Sequence, residues 1–427
     1  MTPQSTFMVA APISISRKSE LRDLLDSMNH APGRVDPKNT LLPFAHYPRL
    51  HVARFVILCD ETLGDLAEYG TSFPDAPVWL AFLGDCDGAA DDMLREFADT
   101  AAAGLRRIFA HCQDPPGTDL LAWMRSHSVQ PATQYVNWLG RTVQQIRQEA
   151  ALHDFLRDCL ERNPALASRR ALEVHDHLVA QVAQTGPALP ALTSTHRARQ
   201  YLFWAAVGLA AVLLIPVLLV LSPVLLLLLW QLRVRERNDP VIAPRPTPAH
   251  VAATSRLEDY DVTNPFSAFG SVKPGLFRLC ILLLVFRVLE LSTRFIYTRG
   301  RLARVGTIHF ARWVFMDNRR RLLFASNYDG SLDSYMDDFI NKVAFGLNLV
   351  FSNGVGWPRT SFLLCGGAQH EQEFKNYLHR HEVPTQVWYK AYPGLTASNL
   401  ATNTQIREGL ERKRMTEAQA RRWLALI

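Results

Sequence analysis

His51-Val-Ala-Arg-Phe-Val56 recurs later in the chain as His309-Phe-Ala-Arg-Trp-Val314, and the reading of this pair decides the fold. The match continues downstream: Leu80-Ala-Phe82 and Asp87-Gly88 return as Leu322-Leu-Phe324 and Asp329-Gly330. Phe97, Gly104-Leu105 and Phe109 then return as Phe339, Gly346-Leu347 and Phe351. From Leu80 to Phe109 the copies align without a gap, and a longer loop in the first, Glu61 to Pro77, accounts for the change of offset. Such self-similarity marks a repeated structural unit. Each copy reads as an alternating apolar strand, a turn, a second strand and a helix of about 20 residues.

Around these units the halves differ. In the first, a strand (Phe7 to Ile15) and a helix (Ser19 to Asn29) come before; in the second, a strand (Ser361 to Cys365), a helix (Glu371 to His381) and a strand (Thr385 to Ala391) come after. Antiparallel sheets covered by helices on one face predict an α+β protein of two ferredoxin-like modules, able to pair as a pseudo-dimeric α/β barrel. The expected division is module 1 over 1–117, a helical extension over 118–200, an apolar segment over 201–230 and a linker over 231–275. An interface helix over 276–300, module 2 over 301–395 and a basic helical tail over 396–427 complete it.

The apolar segment, Tyr201 to Trp230, holds no charge over 30 residues, more than the ~20 that cross a bilayer as a helix. Tyr201, Phe203, Trp204 and Trp230 mark its ends, and Arg197, Arg199, Arg233, Arg235 and Arg237 lie just outside, as in membrane-interface anchors. Pro216 and Pro223 interrupt it, so a kinked transmembrane span and a re-entrant hairpin are both open. Repeated units can pair within one chain only on the same side of a membrane, which favours the hairpin or a paired second segment. Leu276 to Ile296 has Arg287, Glu290 and Arg294 on one helical face, the pattern of a helix lying in the interface, with a second span as the rival.

With 427 residues and a net charge of +6, each half can bury its own core. The six cysteines are scattered with no C-x-x-C pair, which suits reduced thiols and a cytoplasmic placement of the soluble modules. Met1 to Ser16 lacks the order of a signal peptide. Basic residues gather beside the apolar segments and in the tail without interleaved aromatics; the expected partners are a lipid bilayer and an apolar small molecule, with no nucleic acid. Homo-oligomerisation is left open. No P-loop, nucleophile elbow, H-E-x-x-H or dinucleotide fingerprint supplies a reaction class. Asp333, Asp337 and Asp338 near Asp329 read as acids favouring a helix N-terminus, so no metal is expected.

Candidate site residues follow from the repeat. Asp87 and Asp329 end a strand and precede a helix, where a carboxylate caps backbone N–H groups. Counting back from a tight turn at Asn318-Arg319 sets His309 opposite Tyr328, beside Asp329. This predicts a polar site with His309, Arg312 and Asp329 as the catalytic candidates. On a straight strand, however, His and Arg three positions apart face opposite ways. The tract Trp388 to Tyr392 is a candidate aromatic pocket rim.

Gly84-Asp-Cys-Asp87-Gly88 resembles the distal-loop signature of the dye-decolourising peroxidases, haem enzymes that also pair two ferredoxin-like modules. The second copy, Ser326-Asn-Tyr-Asp329-Gly330, lacks the first Gly. The resemblance implies a haem cofactor with Asp87, Arg54 and His51 as its binding residues, and a histidine on the iron from among His370, His379 and His381. Ile308 to Trp313 and Ser326 to Ser331 also resemble segments of a bacterial membrane-associated family that has no assigned activity. The function expected is a membrane-associated ligand-binding or accessory protein with a pocket for an apolar or lipid-like molecule, between the sheets or at the membrane face. The alternative is a haem-dependent, peroxidase-like oxidoreductase acting on an apolar substrate.

Overall fold

The alternating segments form strands, and their partners come from both halves of the chain. The computed structural model describes residues 4–189, 197–257, 261–300, 302 and 304–427. The eight main strands are β1 (Gln4–Pro12), β2 (Leu50–Leu58), β3 (Trp79–Asp87), β4 (Thr133–Val136), β5 (Thr263–Ser271), β6 (Ile308–Met316), β7 (Arg321–Asp329) and β8 (Thr385–Lys390). They make two antiparallel sheets, in the orders β1-β3-β2-β8 and β5-β7-β6-β4.

The fourth strand of each sheet belongs to the other half. β8 lies along β2 with Trp388 opposite Arg54, and β4 lies along β6 with Gln134 opposite Arg312. Just before each exchanged strand, the chain touches the far edge of its own half's sheet. Val129 N–H donates to Met8 O at 2.9 Å, and Val383 N–H to Ser267 O at 2.8 Å. The sheets are therefore stitched along both edges.

This corrects the sequence-based division in three places. The supposed linker 231–275 contains β5, disguised by Pro265 and Gly270; it is an outer strand of its sheet order, where a residue without an N–H is tolerated. The supposed helical extension 118–200 contains β4. In place of one strand at Ser361 to Cys365 there are two-residue strands, Thr360–Ser361 and Cys365–Gly366, joined through the left-handed Phe362 and Leu363. The exchange also means that 1–117 and 301–395 are not self-contained modules.

Alternation decides what each face buries. Outward residues of the first sheet, such as Phe7, Phe55 and Phe82, pack beneath the helices Lys18–Asp26 (α1), Ala90–Thr100 (α2) and Ala102–Phe109 (α3). Inward residues from both sheets, including Met8, Val56, Leu83, Phe269, Val314 and Leu323, meet in one apolar cluster. Side chains thus occupy the space between the sheets, the first of the two places expected for a pocket. The recurrent Asp-Gly has a backbone cause: Gly88 and Gly330 both sit at φ +87°, where a side chain would strain the turn out of the strand.

Helix Val143–Arg162 (α4) follows β4. Helices Arg197–Val220 (α5) and Ser222–Asn238 (α6) form an apolar arm. Among the described residues no single helix is long and apolar enough to cross a membrane, but Tyr201–Val217 and Ser222–Asn238 together meet that standard by length and composition, bent by 94°. Pro223 opens the second limb, and its missing N–H accounts for the break. Most of the arm's large apolar side chains are exposed, up to Val220 at 78%. Helix Leu276–Phe295 (α7) buries Arg278, Leu282 and Phe286 and exposes Leu284, Val288 and Leu291. Its Glu290 pairs with Arg287 and Arg294, as the shared face predicted. Helices Leu332–Phe351 (α8) and Glu371–His381 (α9) cover the second sheet, and Ala397–Leu410 (α10) follows β8.

Exchange makes a concrete prediction. A protease cut in the exposed stretch around Val241 should leave both fragments together in native gel filtration, to separate only in denaturant. Fragments that part under native conditions would refute the strand exchange.

Candidate functional site

The register of each hairpin slips at its histidine. Leu50 pairs with Cys86 but Val52 with Asp85, and Ile308 pairs with Tyr328 but Phe310 with Asn327. His51 and His309 are the extra residues of two β-bulges, and a bulge re-aims its side chain. Their imidazoles turn onto the repeated carboxylates: His51 Nε2 lies 3.0 Å from Asp87 Oδ1 and His309 Nε2 lies 2.7 Å from Asp329 Oδ1. Straight-strand counting set His309 opposite Tyr328 and beside Asp329; the bulge gives Tyr328 to Ile308 instead, and His309 does meet Asp329.

The second oxygen of each aspartate holds a distant helix. Asp87 Oδ2 accepts the N–H of Val143, first residue of α4, at 2.9 Å. Asp329 Oδ2 accepts the N–H of Ala397, first residue of α10, at 2.6 Å. The expectation that each aspartate caps the helix just after it is corrected. The cap position before α2 is Ala89, without a side-chain bond, and the one before α8 is Ser331. A carboxylate at a helix start satisfies an orphan donor and complements the helix dipole. Each aspartate therefore fixes the helix that follows the strand sent to, or received from, the other sheet. Burial pushes the Asp329 carboxyl up, but His309, the Thr263 hydroxyl and the Ala397 N–H outweigh it and leave it below its usual range.

Tyr392 connects the two clamps. Its hydroxyl lies 3.3 Å from His51 Nδ1, and its ring stands against both His51 and His309. The His51 ring therefore bridges the Asp87 carboxylate at Nε2 and the phenol at Nδ1. Lys390 Nζ donates to Thr263 Oγ1 at 2.7 Å, which itself donates to Asp329 Oδ1 at 2.6 Å. Burial pulls the Lys390 ammonium down to about 8, with Asp261 and Asp329 acting against it. A general base oriented by a carboxylate is half of a hydrolytic triad, but His51 is 1% exposed and Tyr392 4%. The arrangement is buried within the protein.

The two arginines go elsewhere. Arg54 donates to Phe266 O at 2.9 Å, Ser267 Oγ at 3.1 Å and Ser326 O at 2.7 Å. Arg312 donates to Phe7 O at 3.1 Å, Gly84 O at 3.2 Å and the Asp85 carboxylate. Each guanidinium reaches across to the opposite sheet, at equivalent positions. Burial and then the like charge of Arg312 bring Arg54 down to about 9; desolvation raises Asp85 despite Arg312. The structure therefore joins His309 to Asp329 and His51 to Asp87, while Arg312 and Arg54 lie apart from those pairs.

Sequence reasoning missed Asp85, Lys390, Thr263 and the connecting role of Tyr392. Asp85 had a signal, since it sits beside Asp87 on the repeated strand, but its counterpart is Asn327 and the repeat hid it. Of the three iron-ligand candidates, His381 is not a surface residue: it is 3% exposed, bonded at Nδ1 to Tyr377 O at 2.8 Å. Among the described residues, no group of three or more His, Cys, Asp or Glu side chains could hold a metal ion. Two cavities stand out, one of about 20 Å³ beside Phe351 and His381 and a surface groove of about 510 Å³ between Leu160, Val174 and Leu424. No protein-family model, no curated protein and no solved structure matches this chain.

Asp329→Asn should lower stability by about 3 kcal/mol, the scale for breaking a buried pair, read by urea unfolding at pH 7. A carboxyl depressed in the folded state contributes stability that is present above its ordinary pKa and is lost as pH falls through the folded value. Wild-type stability should therefore fall more steeply below about pH 4 than that of Asp329→Asn. Parallel acid curves would show that Asp329 carries no such linkage.

Proposed function

We propose that this chain is a membrane-associated ligand-binding or accessory protein that keeps its folded body on one side of a bilayer and takes an apolar or lipid-like molecule at its membrane face. One observation carries the reading: strands exchanged between the halves bracket an exposed arm that has no charge from Tyr201 to Trp230. An isolated apolar surface of that length costs too much in water to serve no contact. We read each sheet and its helices as a ferredoxin-like module, and the pair as a pseudo-dimeric α/β barrel. The matching strand orders, bulges and helix clamps support that view. The scattered thiols favour the cytoplasmic side.

The packing between the sheets moves the ligand to the membrane face. It also weighs against the peroxidase alternative. The residues that resemblance assigns to a haem do not fit one: both Asp87 oxygens are committed to His51 and Val143, and Arg54 is committed to backbone carbonyls across the barrel.

Membranes carrying the full chain should retain it through a carbonate wash, and reporters fused at Met1 and at Ile427 should read the same side. Replacing 201–230 by a short Gly/Ser linker should release a soluble body that still unfolds cooperatively in urea. Termini on opposite sides, or a wild-type chain washed off by carbonate, would overturn the proposal.

A further inference from the structure

We infer that the bent arm enters a single leaflet and that the arginines at its base select anionic phospholipid headgroups; this rests on the membrane reading above and specifies its partner. Each limb, Tyr201–Val217 and Ser222–Asn238, has 17 residues, about 25 Å at ~1.5 Å per residue. With limbs bent by 94°, the apex stands about 19 Å off the line joining their outer ends. That is close to one leaflet, about 15 Å, and short of the ~30 Å hydrocarbon core.

The outer ends are tied to opposite ends of one helix. Phe203 stacks on Phe295 with ring centroids 4.1 Å apart, and Arg235 lies over Phe277 at 5.1 Å. Helix α7, which exposes Leu284, Val288 and Leu291, thus underlies the arm as the third side of a triangle. Strand exchange forbids the arm from crossing once, because β2 pairs with β8 and β6 with β4 from beyond it.

The base is rigid and its acids are neutralised inside it. Glu236 accepts from Thr360 Oγ1 at 2.8 Å and from the N–H groups of Phe362 and Leu363 at 2.7 and 2.8 Å. These bonds hold the left-handed loop that exposes Phe362 and Leu364. Asp239 accepts from Lys273 Nζ at 2.7 Å and Arg278 Nη2 at 2.6 Å. The charges left at the surface here are mainly cationic: Arg235, Arg237 and Arg359 are exposed, and Arg287 and Arg294 share a single Glu290. Apolar insertion combined with a basic rim is the two-part signal of stable attachment to an anionic bilayer.

The test is reconstitution of the full chain with phosphatidylcholine vesicles or with vesicles containing phosphatidylglycerol, followed by flotation. Binding should favour the anionic vesicles, and Arg237→Gln/Arg287→Gln/Arg294→Gln should weaken that binding about 100-fold, from the usual contribution per basic residue, while leaving the weaker binding to phosphatidylcholine unchanged. Equal binding to both vesicles, unaffected by the triple variant, would overturn headgroup selection and leave the membrane reading standing. Binding to neither would overturn both. For depth, a maleimide reagent sealed inside the vesicles should leave Leu219→Cys unmodified, whereas modification from within would show an arm that crosses and refute one-leaflet insertion.

Discussion

Two guanidinium groups buried between the sheets constrain everything else. A guanidinium offers five N–H donors and stays charged under ordinary conditions, so burying it is tolerable only when those donors find acceptors. Arg54 and Arg312 find theirs on the backbone of the opposite sheet. The sheets must therefore face each other in one register, and neither half can satisfy its own arginine alone. Asp85 stands beside Arg312 where the second copy has Asn327, and Arg54 instead lies 4.9 Å over the Trp388 ring. The pair is equivalent in geometry but unequal in charge.

The histidine–aspartate clamps extend the same logic outward. Each bulge places an imidazole on one carboxylate oxygen and leaves the other for a helix start, so the ends of β3 and β7 set where α4 and α10 begin. Those helices then pack on each other through Glu149, whose carboxylate takes the Thr404 hydroxyl at 2.6 Å and the Gln145 amide at 2.7 Å. What looks in isolation like a catalytic dyad also joins exchanged elements, and it is buried. The two halves are thus tied to each other on both sides of the apolar insertion between them.

The repeat was legible because its apolar alternation, its Asp-Gly turns and its helical spacing are local properties of the chain. The apolar arm was legible for the same reason, as an uncharged run with aromatic ends. β5 was not, because Pro265 and Gly270 weaken the strand pattern and only its pairing with β7 makes it a strand. β4 was hidden by its shortness, and its register comes entirely from β6.

For the site, the sequence by itself determined that His, Arg and Asp recur at matched positions, since covalent order and residue type carry that information directly. Hairpin counting also set His309 beside Asp329; only the tertiary structure decided how the ring is aimed and where the others go. A bulge is a property of two paired strands, an exchanged edge is a property of two sheets, and the acceptor of a buried charge depends on what packs against it. No local pattern specifies any of these, so His51 and Asp87 were found as neighbours and Arg54 and Arg312 as ties between the sheets only once the chain had closed on itself.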